Sequence, residues 1–147
     1  MSKTTINLIT LCVSILLFIC ALYIYVSNRN SDMILYSWLG IDSENNFFAF
    51  IRSNSFTLYP WVKYNLTDGL WMLSYLLFIE SVWGDEKSIK RIFCISLISF
   101  AFILEMMQFW GWYPGTGDVL DIVFYIIAIL IFLIFTKLKL MYYEKDI

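Results

Sequence analysis

The sequence contains no histidine. That absence removes every mechanism that needs imidazole: histidine-based phosphatases, zincins and Ser-His triads. Charge is also scarce. Asp, Glu, Lys and Arg make up 15% of the 147 residues, against about a quarter in soluble domains. The net charge is -2 and no basic block is present, so nucleic acid is excluded as a partner. The three cysteines, Cys12, Cys20 and Cys94, are an odd count without metal or disulfide spacing and read as small buried hydrophobes. No nucleophile–base pair and no cofactor signature is visible, so neither a catalytic residue nor a cofactor is assigned.

What remains is apolar. Hydrophobic residues are 61% of the chain, which places it in a bilayer. Four runs qualify as spans, over about residues 6–26, 66–83, 90–110 and 118–136. The first is about 21 residues long, beyond the roughly 7–15 of a signal-peptide core. With no small-residue cleavage site after it, a retained membrane helix is expected. The second is the weakest. Its apolar part, 69–83, covers roughly 22 Å at 1.5 Å per residue, and extending it backward draws Asp68 and Asn65 toward the hydrocarbon. The expected fold is an all-α membrane protein, a four-transmembrane-helix bundle forming a single integral domain.

Seven of the ten basic residues fall on one side: Lys3, Lys87, Lys90, Arg91, Lys137, Lys139 and Lys145. The positive-inside rule puts both termini in the cytoplasm. The long first loop, 27–67, then faces outward. It carries nine aromatic rings, and such rings favour the headgroup level. Short interfacial helices are expected near 31–39 and 47–51.

Polar residues gather at one depth. Glu105 lies about 21 Å up the third helix from Arg91, Gln108 about 25 Å, and on the fourth helix Asp121 about 24 Å and Asp118 about 28 Å above Lys137. Asp68 reaches a similar height on the second. Glu105 and Gln108 are spaced i, i+3 and share a face, as do Asp118 and Asp121. The connection 111–117, with its Pro114-Gly115 turn, makes the last two helices antiparallel neighbours whose polar faces meet. Capping explains Asp118 and Asp68. It leaves Glu105 and Gln108, at the wrong helix end for a carboxylate, as candidate site residues, since ionisable groups at membrane depth mark sites or pairing partners. Arg52, Arg29 or Lys63 from the loop are the candidate counter-charges, an Arg being the better bidentate partner. Glu80, near the cytoplasmic edge, is expected to snorkel toward Lys87 or Lys90. Asn65-Leu66-Thr67 fits a glycosylation sequon and carries no functional weight.

The E-x-x-Q of Glu105 and Gln108, followed by a short turn and the D-x-x-D of Asp118 and Asp121, resembles the VanZ-like family. Asp68-Gly69-Leu70-Trp71 at the second span is similar to the opening of that span in short bacterial members. The chain departs from the family at Tyr125, where many members have Asn, and has no Arg between Gly111 and Asp118. The resemblance implies a bacterial cell-envelope protein of the cytoplasmic membrane, linked to glycopeptide resistance.

The leading expectation is an outer-leaflet site for an envelope lipid or lipid-linked cell-wall precursor, built from Glu105, Gln108, Asp118, Asp121, Asp68, Trp71 and Arg52. Alternatives are an accessory subunit paired with another membrane protein, a divalent-metal-dependent enzyme acting on a lipid headgroup, and a proton or cation carrier. The identity of any metal is left open. No span contains the close-packing GxxxG pattern that would favour a partner helix.

Overall fold

The computed structural model describes residues 2–28, 46–53, 56 and 58–145. All regular structure among them is helical. Helix α1 spans Lys3–Asn28 and the short α2 spans Asn46–Ser53. A π-helical segment, Val62–Leu66, leads directly into α3, Thr67–Trp83. Helices α4, Lys87–Phe109, and α5, Val119–Lys145, complete the chain.

Three of these helices, α1, α4 and α5, are long and apolar enough to cross a membrane. They are the long helices of a multi-pass membrane protein, and most of their apolar side chains face out of the bundle. Helix α3 is different. It has 17 residues, nine of them buried, and the other helices pack around it. Met72, Leu73, Leu76 and Leu77 of α3 form the core with Ala128 and Phe132 of α5. Leu97, Ile98 and Ala101 of α4 and Leu17 of α1 close over them. The weakest apolar run is therefore the innermost helix. A helix shielded by neighbours can carry Ser74, Thr67 and Glu80 because each finds a partner: the two hydroxyls bond back to the Trp71 and Lys63 carbonyls of the same helical stretch, and Glu80 pairs with lysines of the neighbouring helices. Ser14 of α1 donates across to the Ser74 backbone carbonyl at 2.9 Å.

The chain turns helical earlier than the apolar run suggests. Pro60 opens the helix and needs no N–H partner there. The Tyr59 carbonyl accepts the first bonds, from the Val62 and Lys63 amides at 3.0 Å each. Asp68 therefore lies inside a continuous helix and does not cap it, and the residue before α3, Leu66, makes no side-chain cap. Helix α5 runs on past Lys137 to Lys145.

Helix α4 stops for a clear reason. Gly111 adopts φ +69°, its N–H bonds the Gln108 carbonyl at 3.0 Å, and the Trp112 N–H bonds the Met107 carbonyl at 2.9 Å. This is a Schellman cap, with glycine at the left-handed position. Pro114-Gly115 follows as the bend rather than the terminator.

The expected interfacial segment at 47–51 falls within α2, which packs against α1. The one at 31–39, and Arg29, lie outside the described residues. Cys12 and Cys20 are exposed on α1 and only Cys94 is partly buried, so two of the three cysteines are not the buried hydrophobes expected of them.

Candidate functional site

Four polar side chains from three helical segments converge at the α4–α5 turn. Asp118 precedes the first residue of α5, and its Oδ1 accepts the Leu120 N–H at 2.9 Å. This is side-chain capping of a helix N-terminus, where unpaired amides favour a carboxylate. The Asp118 N–H itself donates to Glu105 Oε1 at 2.7 Å. In a capping box that backbone donor is met by a Glu or Gln from the helix's own first turn. Here a carboxylate from the end of α4 supplies the bond. Glu105 is thereby explained by a contact between helices, which its position at the negative end of α4 concealed. Glu105 is 4% exposed, so this bond is made out of solvent.

Asn65 joins the two aspartates. Its Nδ2 donates to Asp121 Oδ1 at 2.8 Å and to Asp118 Oδ2 at 3.0 Å. One amide nitrogen, with two N–H bonds, serves both carboxylates. Asn65 is 3% exposed and lies in the π-helical segment. The wider π turn shifts the side-chain phase by a residue, and such turns are frequent at functional sites. It turns Asn65 and Thr67 inward together. The Thr67 hydroxyl bonds back to the Lys63 carbonyl at 3.1 Å. Both residues of the Asn65-Leu66-Thr67 sequon are thus buried and hydrogen-bonded, and the folded chain offers no access to a glycosyl donor there.

The other expected site residues are distributed differently. Gln108 lies under the turn: a Cβ on Gly115, whose φ is +137°, would come within 2.8 Å of its side-chain carbon. Asp68 is half-buried on α3. Trp71 turns toward α1, with its ring 4.8 Å from Phe18 in an edge arrangement. Arg52 closes α2 and is half-buried. Lys63 stands over the Tyr64 ring at 5.0 Å, a cation–π contact. The structure therefore brings together Glu105, Asp118 and Asp121, with Gln108 beside them, and places Trp71 on another face.

No family model, curated protein or solved structure matches this chain. Its chemistry rests on the geometry alone. Among the described residues no three Asp, Glu or Cys side chains are grouped so as to hold a metal ion. The cluster's strongest feature is directional hydrogen bonding: carboxylate oxygens and an amide, held rigidly by two helix ends and a π turn. Hydroxyl and amine groups of a ligand suit such acceptors. Exposed rings surround this end. Trp110 and Trp112 are stacked obliquely at 5.2 Å, and Trp61 lies parallel to Phe124 at 6.2 Å.

Sequence reasoning passed over Asn65 as a site residue. One signal was present: Asn65 and Asp68 share the i, i+3 spacing of the other polar pairs. The loop-like composition around them obscured it.

Proposed function

We propose that this chain is a four-span, VanZ-like protein of the bacterial cytoplasmic membrane, with both termini in the cytoplasm. It binds an envelope lipid or lipid-linked cell-wall precursor at the outer-leaflet end of α3, α4 and α5, and it is linked in this way to glycopeptide resistance. The observation that carries the reading is the convergence of Asn65, Glu105, Asp118 and Asp121 at one end of an otherwise apolar bundle. Building buried polar groups at membrane depth is costly, and such groups usually serve a ligand or a pairing partner. The exposed rings of Tyr59, Trp61, Trp110 and Trp112 at this end support an interfacial position. Treating α3 as the fourth span is supported by its two polar ends. Asn65 and Glu80 stand about 22 Å apart along the helix at 1.5 Å per residue, and the helical turn that begins at Pro60 lengthens it further.

Native mass spectrometry of the detergent-purified chain tests the ligand. The wild type is expected to retain a specific lipid that Asp121→Asn loses, while both fold, since the amide oxygen introduced by the substitution still accepts from Asn65. The absence of any lipid that the wild type holds and Asp121→Asn loses would replace this reading with that of an accessory subunit, in which the cluster mainly ties helices together.

Orientation has its own check. A cysteine replacing the exposed Thr116, in a background without Cys12, Cys20 and Cys94, is expected to react with an impermeant thiol reagent on intact cells. Labelling only after lysis would reverse the topology.

A further inference from the structure

The opposite end of the bundle carries a second polar assembly. Glu80 of α3 is 3% exposed. Its Oε1 accepts from Lys139 Nζ of α5 at 2.8 Å and its Oε2 from Lys90 Nζ of α4 at 3.0 Å. Lys139 is buried as well. Gly84 makes room for it: a Cβ there would sit 3.3 Å from Lys139 Nζ and 2.5 Å from the Glu80 carbonyl oxygen. One carboxylate thus holds two ammonium groups, and a positive charge is left over in a largely buried place.

A cleft of about 680 Å³ opens beside this triad, within the roughly 300–1,000 Å³ of small-molecule sites. Lys3, Lys87, Lys90, Arg91 and Lys139 line it, against the carboxylates of Glu80 and Asp85. Asp85 is paired with Lys3. Lys87 and Arg91 have no carboxylate partner among the described residues. The lining therefore carries three positive charges in excess. Lys87, Lys90, Arg91 and Cys94 recur on one face of α4.

Two further features point to an anion. Helix α4 starts without a side-chain cap and without an acidic residue in its first turn. Its first turn bears Lys87 and Lys90, and Glu86 at the N-cap position makes no side-chain bond to its amides, so those amides stay open to an acceptor. The Tyr143 hydroxyl is buried, lines the same cleft, and has no hydrogen-bond partner among the described residues. The wall opposite the cations is apolar, made by Phe132, Leu133 and Leu140.

We propose that this cleft binds a phosphate-bearing anion. Lys87 and Arg91 hold the phosphate oxygens, Arg91 through its forked guanidinium, and Tyr143 donates its hydroxyl. Basic pockets between membrane helices take phospholipid headgroups in this way, and an acyl chain would then follow Phe132 and Leu140. A soluble phosphate ester presents the same chemistry. The site is separate from the Asn65 cluster and does not depend on how that cluster is used.

The test pairs two readouts on the full chain in detergent, wild type beside the double variant Lys87→Gln/Arg91→Gln. Both residues are exposed, so the variant leaves the buried triad intact, and melting without ligand verifies its fold. Native mass spectrometry compares retention of phosphatidylglycerol and phosphatidylcholine with matched chains. Melting compares inorganic phosphate with chloride at equal ionic strength. The expected result is selective phosphatidylglycerol retention, weakened about 30-fold in the double variant and unchanged in Asp121→Asn. A stabilisation by phosphate that the double variant abolishes, without preference between the lipids, supports the site and identifies a soluble ligand. No lipid preference and no phosphate effect overturns the proposal. So does either effect persisting undiminished in the double variant.

Discussion

Asn65→Leu is expected to destabilise the fold more than any other single change at the α4–α5 turn, by about 3–6 kcal/mol. The figure follows from two hydrogen bonds to charged groups at about 1.5–3 kcal/mol each. Neutral bonds between membrane helices average only about 0.6 kcal/mol, because the separated helices find other partners. The amide of Asn65 differs in having two buried-side carboxylates as its acceptors, at 2.8 and 3.0 Å. Without it, Asp118 and Asp121 lose the donor that joins them, and each keeps a carboxylate oxygen that has lost its partner. Thermal or denaturant unfolding in detergent measures the loss, and a change of less than about 0.5 kcal/mol would refute the bridging role. The companion Asn65→Asp removes the donor while keeping the side chain's size, and it should also be destabilising, since it sets a third carboxylate against Asp118 and Asp121.

The second large effect is expected at the other end. Glu80→Leu should cost about 3–5 kcal/mol, the usual consequence of removing one partner from a buried ion pair. Lys139, whose side chain is 5% exposed, would then be left without its carboxylate. Lys90, at 25% exposure, can relax toward water by snorkelling. The damage should therefore lie mostly in the Glu80–Lys139 pair. The double variant Glu80→Leu/Lys139→Leu is expected to recover most of the loss, because replacing both members with apolar groups is often neutral. Unfolding curves of the two single variants and the double variant measure the coupling. Additive losses would mean that the two side chains do not depend on each other.

The two assemblies together describe the chain. Asp121 and Lys139 lie on the same helix, about 27 Å apart at 1.5 Å per residue, close to the roughly 30 Å of a bilayer core. Between them the core is apolar, with Met72, Leu73, Leu76, Ala128 and Phe132, apart from the buried Ser14–Ser74 contact. Polar groups are concentrated where the helices end, and at each end they cross from one helix to another. Loss of either assembly would free a helix end rather than open the apolar middle.

Much of the Asp118 end was legible in the residues themselves. Glu105 is 13 residues before Asp118, and a connection that short leaves the two ends no option but to be neighbours. The i, i+3 spacing of Asp118 and Asp121 puts both on one helix face. The capping of α5 by Asp118 follows from the local preference for a short carboxylate at that position. Asn65 was not legible as their bridge. It is 53 and 56 residues from its partners, and a five-residue π turn sets its direction. Nothing in a linear pattern with period 3.6 announces that change of phase. Glu80 was legible as near a basic loop, but its second partner, Lys139, is 59 residues away.

By itself, the sequence determined that this protein is helical and apolar, where its long helices run, and which acidic groups share a face. These follow from composition and from periodicity within a single segment, which are local properties. The tertiary structure decided which helix is central and which polar groups meet. Helix α3 is apolar on nearly all sides, so its own residues state no preferred face. Only packing against α1, α4 and α5 turned Trp71 toward Phe18, Gly69 toward Phe124 and Glu80 toward Lys139. The physical reason is that burial is non-directional, while the hydrogen bonds and ion pairs that select one face require partners from elsewhere in the chain.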